Sequence, residues 1–273
     1  MQNTARQAEI PLISVIMGVY YQREECALLE RSVRSILDQT LSSFELLICD
    51  DGSNDTAREL LDRLAQKDGR IVLVRGTAAY SLPEKLNVCL ERARGVWIAR
   101  MDDDDYAAPE RFRRQLDFLE EHPKVAFVGS NVRLIRDGQA VGQRILPEYP
   151  TIEDFYMVQP YIHPALIFRR EVLETVGGYS REKTVLLCED YDLLLRLYAN
   201  GYRGSNLQEL LLDYTIPLTA KGNRKMSHRW NEAVTRFRRF RQLGRLPGAL
   251  PYVIKPLAVG LLPETVLRKL KRL

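Results

Sequence analysis

Long apolar runs are missing from this 273-residue chain. No uninterrupted stretch reaches the ~20 residues that a helix needs to cross a bilayer, and residues 1–10 are polar, without a secretory core. Cysteine is scarce: Cys26, Cys49, Cys89 and Cys188 stand 23, 40 and 99 residues apart. None forms the close pair that zinc sites use, and a disulfide scaffold does not suit a chain of this size, so a reduced, cytosolic setting is expected. Four motifs are also absent: a G-x-x-x-x-G-K-[ST] loop, a G-x-G-x-x-G after the first strand, a G-x-S-x-G elbow and an H-E-x-x-H pair. Their absence argues against P-loop kinases, classical dehydrogenases, α/β-hydrolases and zinc peptidases. Internal repeats and low-complexity segments are lacking too.

What is present is an ordinary globular composition, 45% hydrophobic and 28% charged, long enough for a substantial core. The formal charge of +4 hides an asymmetry. Residues 224–273 carry 13 Lys/Arg against 2 Asp/Glu, a balance of +11; residues 1–223 carry 27 against 34, a balance of −7. An acidic body and a basic tail therefore pose separate questions.

The body alternates strands and helices. An apolar, β-branched run at 12–19 predicts a strand buried on both faces, and runs at 44–49, 71–74 and 96–101 predict three further strands. Helical spacing over 28–37, 57–65, 83–93 and 109–121 fills the gaps, with Pro83 at a first helical position. This is the pattern of βαβ units in a mostly parallel, Rossmann-like sheet. From about Gly129 the pattern changes. A strand at 132–136 enters an Asp137-Gly138 turn, a short helix covers 151–158, and a strand at 165–168 runs into a helix stopped by Gly177-Gly178. A last helix spans 189–200 and ends at Gly201.

Two acidic clusters fall at predicted strand C-termini, Asp50-Asp51 and Asp102-Asp103-Asp104-Asp105. In doubly wound sheets ligands bind beyond those ends, so both clusters are expected on one rim. Four consecutive carboxylates repel one another unless a cation is present, and hard divalent cations are commonly held by one or two carboxylates with substrate phosphates. The competing reading is a solvated loop capping the next helix. Ser53, Asn54 and Asp55 read as helix caps, Asp55 more as cap than as ligand. Glu189 and Asp190 open a helix behind the apolar run Val185–Leu187; desolvation there would raise a carboxylate toward the range of a general base. His163, alone before Pro164, reads first as a structural hydrogen bonder.

These segments resemble a known family. ISVIMGVY (13–20), FELLICDDGSNDT (44–56) and ARGVWIARMDDDDYAAPERF (93–112) are similar to the nucleotide-sugar half of family 2 glycosyltransferases of the GT-A fold. HPALIFRREVLETVGGY (163–179) and CEDYDLLLRLYANGY (188–202) resemble the acceptor half, and order and spacing agree over residues 11–215. The resemblance implies a GT-A catalytic domain over residues 1–217, with a nucleotide-sugar half at about 11–128 and an acceptor half at about 129–217. It implies an inverting, metal-dependent hexosyltransferase that uses a nucleotide-diphosphate sugar, typically UDP-linked. Tyr20 and Asp51 match residues that hold the base, and Val19 and Lys85 belong to the same donor-binding set, with Asn87 in a looser match. Asp102 and Asp104 match the D-x-D motif that holds Mn²⁺ or Mg²⁺, with Asp103 in its middle place and on the donor. His163 matches a His near donor and acceptor. Asp190 matches the catalytic base, with Glu189 beside it. Leu194 stands where the family often has Trp, a change expected to alter the acceptor pocket. The stretch Leu218–Met226 lacks the usual Tyr-Arg pattern, which leaves Arg224, Lys225 and His228 without an implied ligand role.

The tail, residues 218–273, reads as a basic amphipathic helical extension. Trp230, Ala233, Val234, Phe237 and Phe240 share a helical stripe among arginines, residues 246–263 are apolar but interrupted by four prolines, and 266–273 is cationic. The favoured reading is an interfacial anchor on an anionic membrane. Packing on the catalytic domain and a dimer contact are the alternatives; a nucleic-acid partner is not expected, because long apolar stretches separate the charges. The anchor implies a peripheral protein on the inner face of the cytoplasmic membrane and a glycan or polyprenyl-diphosphate-linked acceptor in cell-surface polysaccharide synthesis. For the body, the alternatives are a metal-dependent nucleotidyltransferase or a non-catalytic nucleotide-binding module.

Overall fold

The computed structural model describes residues 10–76, 80–216 and 225–261. The strong apolar runs become β1 (Ile13–Val19), β2 (Phe44–Asp50), β3 (Ile71–Arg75) and β4 (Trp97–Arg100). Between them lie α1 (Ala27–Leu37), α2 (Asp55–Lys67) and α3 (Leu82–Arg92). Asn54, not Asp55, caps α2: its side chain accepts from the Ala57 N–H at 3.0 Å. Ser81 starts α3, with its N–H and hydroxyl both donating to Glu84, which places Pro83 at the second helical residue.

The four strands pair in the order β3-β2-β1-β4, all parallel. Parallel pairing brings the strand ends at Val19, Asp50 and Arg100 to one rim, as the sequence led us to expect.

Beyond β4 the chain adds β5 (Tyr106–Ala107), α4 (Arg111–Glu121), β6 (Phe127–Arg136), β7 (Gln139–Arg144), α5 (Asp154–Met157), β8 (Ile167–Arg169), α6 (Arg170–Thr175), α7 (Glu189–Ala199) and β9 (Gly204–Thr215). The sheet continues β4-β8-β6-β9-β5, with β7 on the flank of β6. Here β6 and β9 run parallel and the other pairs antiparallel. The β6–β7 hairpin turns at Asp137 (φ 51) and Gly138 (φ 74), the two positive values that a tight two-residue turn requires.

α8 (Met226–Gln242) and α9 (Leu246–Leu261) complete the described chain. The proline-interrupted segment is one helix, with Pro251 and Pro256 inside it. The expected stripe on α8 splits: Ala233 and Phe240 are buried with Thr235 and Arg236, while Trp230 and Phe237 face outward. α8 packs on α7 and on the 3₁₀ turn Lys183–Val185, and Ala249, Val253 and Pro256 seat α9 against it. The cationic stretch 266–273 and Arg224 lie outside the described residues. Among the described residues no helix is long and apolar enough to cross a membrane.

Candidate active site

The rim of β1, β2 and β4 opens into a cleft of about 490 Å³ lined by Gly18, Tyr20, Asp51, Tyr80, Leu82, Lys85, Asp102 and Asp103. Gly18 lets α3 approach: a Cβ there would stand 2.9 Å from the Leu82 side chain. Asp51 is buried and accepts from the Tyr80 N–H, while its neighbour Asp50 is tied to Arg75 and to the Ser53 N–H. Tyr20 is exposed, beside Gly52 at φ +85 in the turn after β2. Lys85, also buried, donates to the Val19 carbonyl at 2.8 Å and lies 5.1 Å from the centre of the Tyr20 ring. Burial pulls its pKa down, with Asp51 opposing. Val19 offers only that carbonyl; its side chain is in the core. Asn87 faces away, exchanging hydrogen bonds with the Tyr179 backbone at 2.8 and 2.9 Å.

A second cavity, about 560 Å³, adjoins the first through the shared Leu82 and Asp102. His163, Glu189 and Asp190 line it, with Arg100, Gln159, Tyr191 and Tyr214. Asp190 Oδ1 accepts from the Tyr191 N–H at 2.7 Å and Oδ2 from Gln159 Nε2 at 3.0 Å. Burial raises the pKa of Asp190 despite these bonds, and burial followed by Asp190 raises that of Glu189. Glu189 Oε2 is buried with no protein partner. The residue before this pair's cap, Leu187, has φ 66 and is exposed at the mouth, a strained conformation for a branched side chain. His163 bonds the Tyr179 hydroxyl at 2.8 Å. Burial, reinforced by Arg100, holds its pKa well below the usual value, so the imidazole is neutral at physiological pH.

The acidic loop is partly sunk between the two cavities. Burial and then Asp102 and Asp104 push Asp103 up to about 7. Asp104 is raised, mainly by burial and by Asp102. Asp105 turns inward, accepting from the Thr215 N–H at 2.7 Å on β9. Asp102 Oδ1 is engaged by the fully buried Arg100, and the Asp102 carbonyl accepts from Ser32 at 2.7 Å. The donors are all hard carboxylate oxygens. Among the described residues no group of three or more His, Cys, Asp or Glu forms a ready-made cage. Those residues fit a divalent cation that takes its remaining ligands from a diphosphate.

Several residues of this site escaped the sequence reading. Arg100 had a signal, a charge at the end of an otherwise apolar strand. Gln159, Tyr214, Glu232 and Arg236 had none, being distant in sequence from what they meet. Leu194 lies fully buried in the core, so the Trp-to-Leu departure does not reach the cavity lining.

A family model described as "Glycosyl transferase family 2" matches residues 14–177. EpsE of Bacillus subtilis (strain 168) is 33% identical over 260 residues, 95% of this chain and 92% of that protein. An Escherichia coli protein, the UDP-Glc:alpha-D-GlcNAc-diphosphoundecaprenol beta-1,3-glucosyltransferase WfaP, is 28% identical over 195 residues, 71% of this chain and 73% of its own. Among solved structures, S. aureus TarS 1-349 in complex with UDP-GlcNAc superposes with a TM-score of 0.67 at 18% identity, over 89% of this chain and 72% of that one. The mannosyltransferase PcManGT from Pyrobaculum calidifontis, in complex with GDP-Man and Mn²⁺, gives 0.62 at 20% identity, over 97% and 80%.

Proposed function

The chain belongs to glycosyl transferase family 2, and from that premise we propose that it transfers a hexose from a UDP-sugar to a hydroxyl of a lipid-linked glycan, with inversion, in cell-surface polysaccharide synthesis. Membership of the family sets aside the nucleotidyltransferase and non-catalytic readings. The observation that carries the proposal is the Asp190 carboxylate, fixed by Gln159 and the Tyr191 N–H in a cavity that shares Asp102 with the cleft of Tyr20, Asp51 and Lys85.

In this reading the nucleoside lies in that cleft, with its base between Tyr20 and Asp51. Lys85 and Asp103 face the diphosphate, which brings the anomeric carbon to the mouth of the second cavity. Asp104 and Asp102 would hold Mn²⁺ or Mg²⁺ against the diphosphate, supplying positive charge as it departs. Asp190 takes the proton of the acceptor hydroxyl as that oxygen attacks from the opposite face, and a single displacement of this kind inverts the anomeric centre. No carboxylic acid need protonate the leaving group, unlike the glycosidase pair. Neutral His163 serves as a hydrogen-bonding wall rather than a charge, and Glu189, with an open acceptor oxygen, suits a sugar hydroxyl.

The lipid-linked acceptor is supported by WfaP, whose name specifies such a substrate, and by the exposed apolar side chains of Met157, Val158 and Leu187 at the cavity mouth. We assign residues 1–217 to the GT-A domain and 218–273 to a segment that rests peripherally on the cytoplasmic membrane, through outward-facing Trp230, Phe237, Leu250, Ile254 and Leu261. Incubation with a panel of UDP-sugars, Mn²⁺ and a synthetic diphosphoprenyl-linked sugar should release UDP and an inverted glycoside. Release of pyrophosphate, or a retained anomer, would refute the reading. Flotation with anionic vesicles should be lost on changing Trp230, Ile254 and Leu261 together to Ser; equal flotation would remove the membrane assignment.

A further inference from the structure

The segment that delivers Asp190 is fastened along its length by α8. Asn231 donates to the Lys183 carbonyl at 3.2 Å, and the Thr235 hydroxyl to the Thr184 carbonyl at 3.3 Å. Arg238 reaches Glu182 at 2.8 Å and the Thr184 hydroxyl at 3.2 Å. Asp192, only 1% exposed, takes Arg196 on one oxygen at 2.8 Å and Arg239 on the other at 2.7 Å.

Arg236 lies at the centre of this contact, 5% exposed, and lines the Asp190 cavity. Its guanidinium sits 4.6 Å from the centre of the Tyr191 ring and donates to the Tyr156 carbonyl at 2.9 Å and the Phe155 carbonyl at 3.4 Å. The Tyr191 hydroxyl donates to the same Phe155 carbonyl at 2.6 Å. The two groups that hold the Asp190 carboxylate, the Tyr191 N–H and Gln159, belong to α7 and to the segment after α5. Arg236 grips α7 through the Tyr191 ring and α5, the turn that leads into Gln159, through the Phe155 and Tyr156 carbonyls, and the Glu232 carboxylate holds Arg236 at 3.0 Å. A guanidinium is expensive to bury, and a planar one that stacks while donating to two carbonyls does what Lys cannot.

We propose that Arg236 is a positioning residue of the transfer reaction: by tying Tyr191 to the 155–159 segment it sets the orientation of the Asp190 carboxylate, so that α8 is part of the catalytic apparatus as well as of the tail. This rests on Asp190 being the base. Arg241, exposed on the outer side of α8, is left for the membrane role, since Arg236, Arg238 and Arg239 are turned to the domain.

The test uses the full chain with Mn²⁺, UDP-glucose and UDP-N-acetylglucosamine as donors, and water or an N-acetylglucosamine-diphosphoprenyl lipid as acceptor. Arg236→Lys should lower kcat for UDP release ten- to a hundredfold, about the cost of displacing a reacting group by an ångström, while donor KM and UDP affinity stay within twofold. Arg241→Ala, on the exposed side, should change neither. If Arg236→Lys does not fold, Tyr191→Phe, which removes only the bond to Phe155, should still lower kcat at unchanged UDP affinity. A kcat within threefold of the parent, or kcat and UDP affinity lost together, overturns the proposal. Asp190→Asn in the same series separates the two readings: if it is active, the base assignment fails; if it is inactive while Arg236→Lys and Tyr191→Phe turn over normally, only the present inference fails.

Discussion

Gly76→Ala should weaken nucleotide binding although Gly76 itself does not line the nucleotide cleft. Gly76 follows β3, and its N–H donates to the Asp50 carbonyl at 2.8 Å. A Cβ at this position would stand 2.6 Å from Cβ, Cγ and Oδ1 of Asp51. Real Cβ atoms do not approach so closely, and Asp51 cannot yield by a far-end rotation, because its own Cβ is among the atoms met. The carboxylate must leave the Tyr80 N–H and its place in the cleft. A hydrogen bond to a charged group is worth about 1.5–3 kcal/mol. If Asp51 holds the base through one such bond, UDP affinity should fall about 10- to 100-fold. Titration calorimetry with UDP and Mn²⁺ reads this directly. Gly142→Ala, where the nearest atom is 3.9 Å away on the exposed hairpin, should leave affinity unchanged. A Gly76→Ala protein that binds UDP within twofold of the parent would refute the placement of the base on Asp51.

Three further outcomes follow from the same geometry. Burial raises the carboxyl pKa of Asp190 and of Glu189, so the proton-bearing, inactive form of the base should appear at a pH above that of an ordinary aspartate. The kcat profile should therefore lose activity on its acid side early and hold it on the alkaline side; a rate that stays flat down to the ordinary aspartate pKa would contradict this. Gln159→Leu removes the donor to Asp190 Oδ2 and should lower kcat about tenfold with donor KM unchanged, as loss of a positioning hydrogen bond does; a raised KM at constant kcat would instead make Gln159 a donor contact. Asp192→Asn leaves Arg196 and Arg239 without their shared buried anion, which should cost about 3–5 kcal/mol. The thermal midpoint should drop by roughly 10 °C at 2–4 °C per kcal/mol, and an unchanged midpoint would show that the pair contributes nothing.

The nucleotide half was the more legible part of the chain because its physics is local. β1, β2 and β4 are buried at nearly every position and the edge strand β3 is half-buried, so each appears as a short, largely apolar run, and the helices between them show plain helical spacing. The second half carries fewer such signals. β9 is partly exposed, carries Glu209 and Asp213, and shifts register twice against β6; that interrupts the alternation that would have announced it. β7 is exposed at nearly every residue and β5 is two residues long. In α9 the prolines read as breaks, yet Pro251 and Pro256 sit inside a helix supported by its packing on α8. The acidic rim could be read because carboxylates at parallel strand ends must share an edge. The supports could not: Gln159 meets Asp190 across 31 residues and Arg236 meets Phe155 across 81, and nothing in local sequence encodes such pairings.

The central claim is that Asp190 is the base of an inverting transfer, and one paired measurement on Asp190→Asn tests it most directly. The substitution keeps size, its amide oxygen can still accept from the Tyr191 N–H and its NH2 can donate to a flipped Gln159 amide, but it cannot take a proton. UDP affinity measured with Mn²⁺ should stay within twofold of the parent, while sugar transfer from the same donor falls about a thousandfold, within the 10²–10⁴ usual for loss of a general base. Transfer at the parental rate by a protein that still binds UDP would contradict the account.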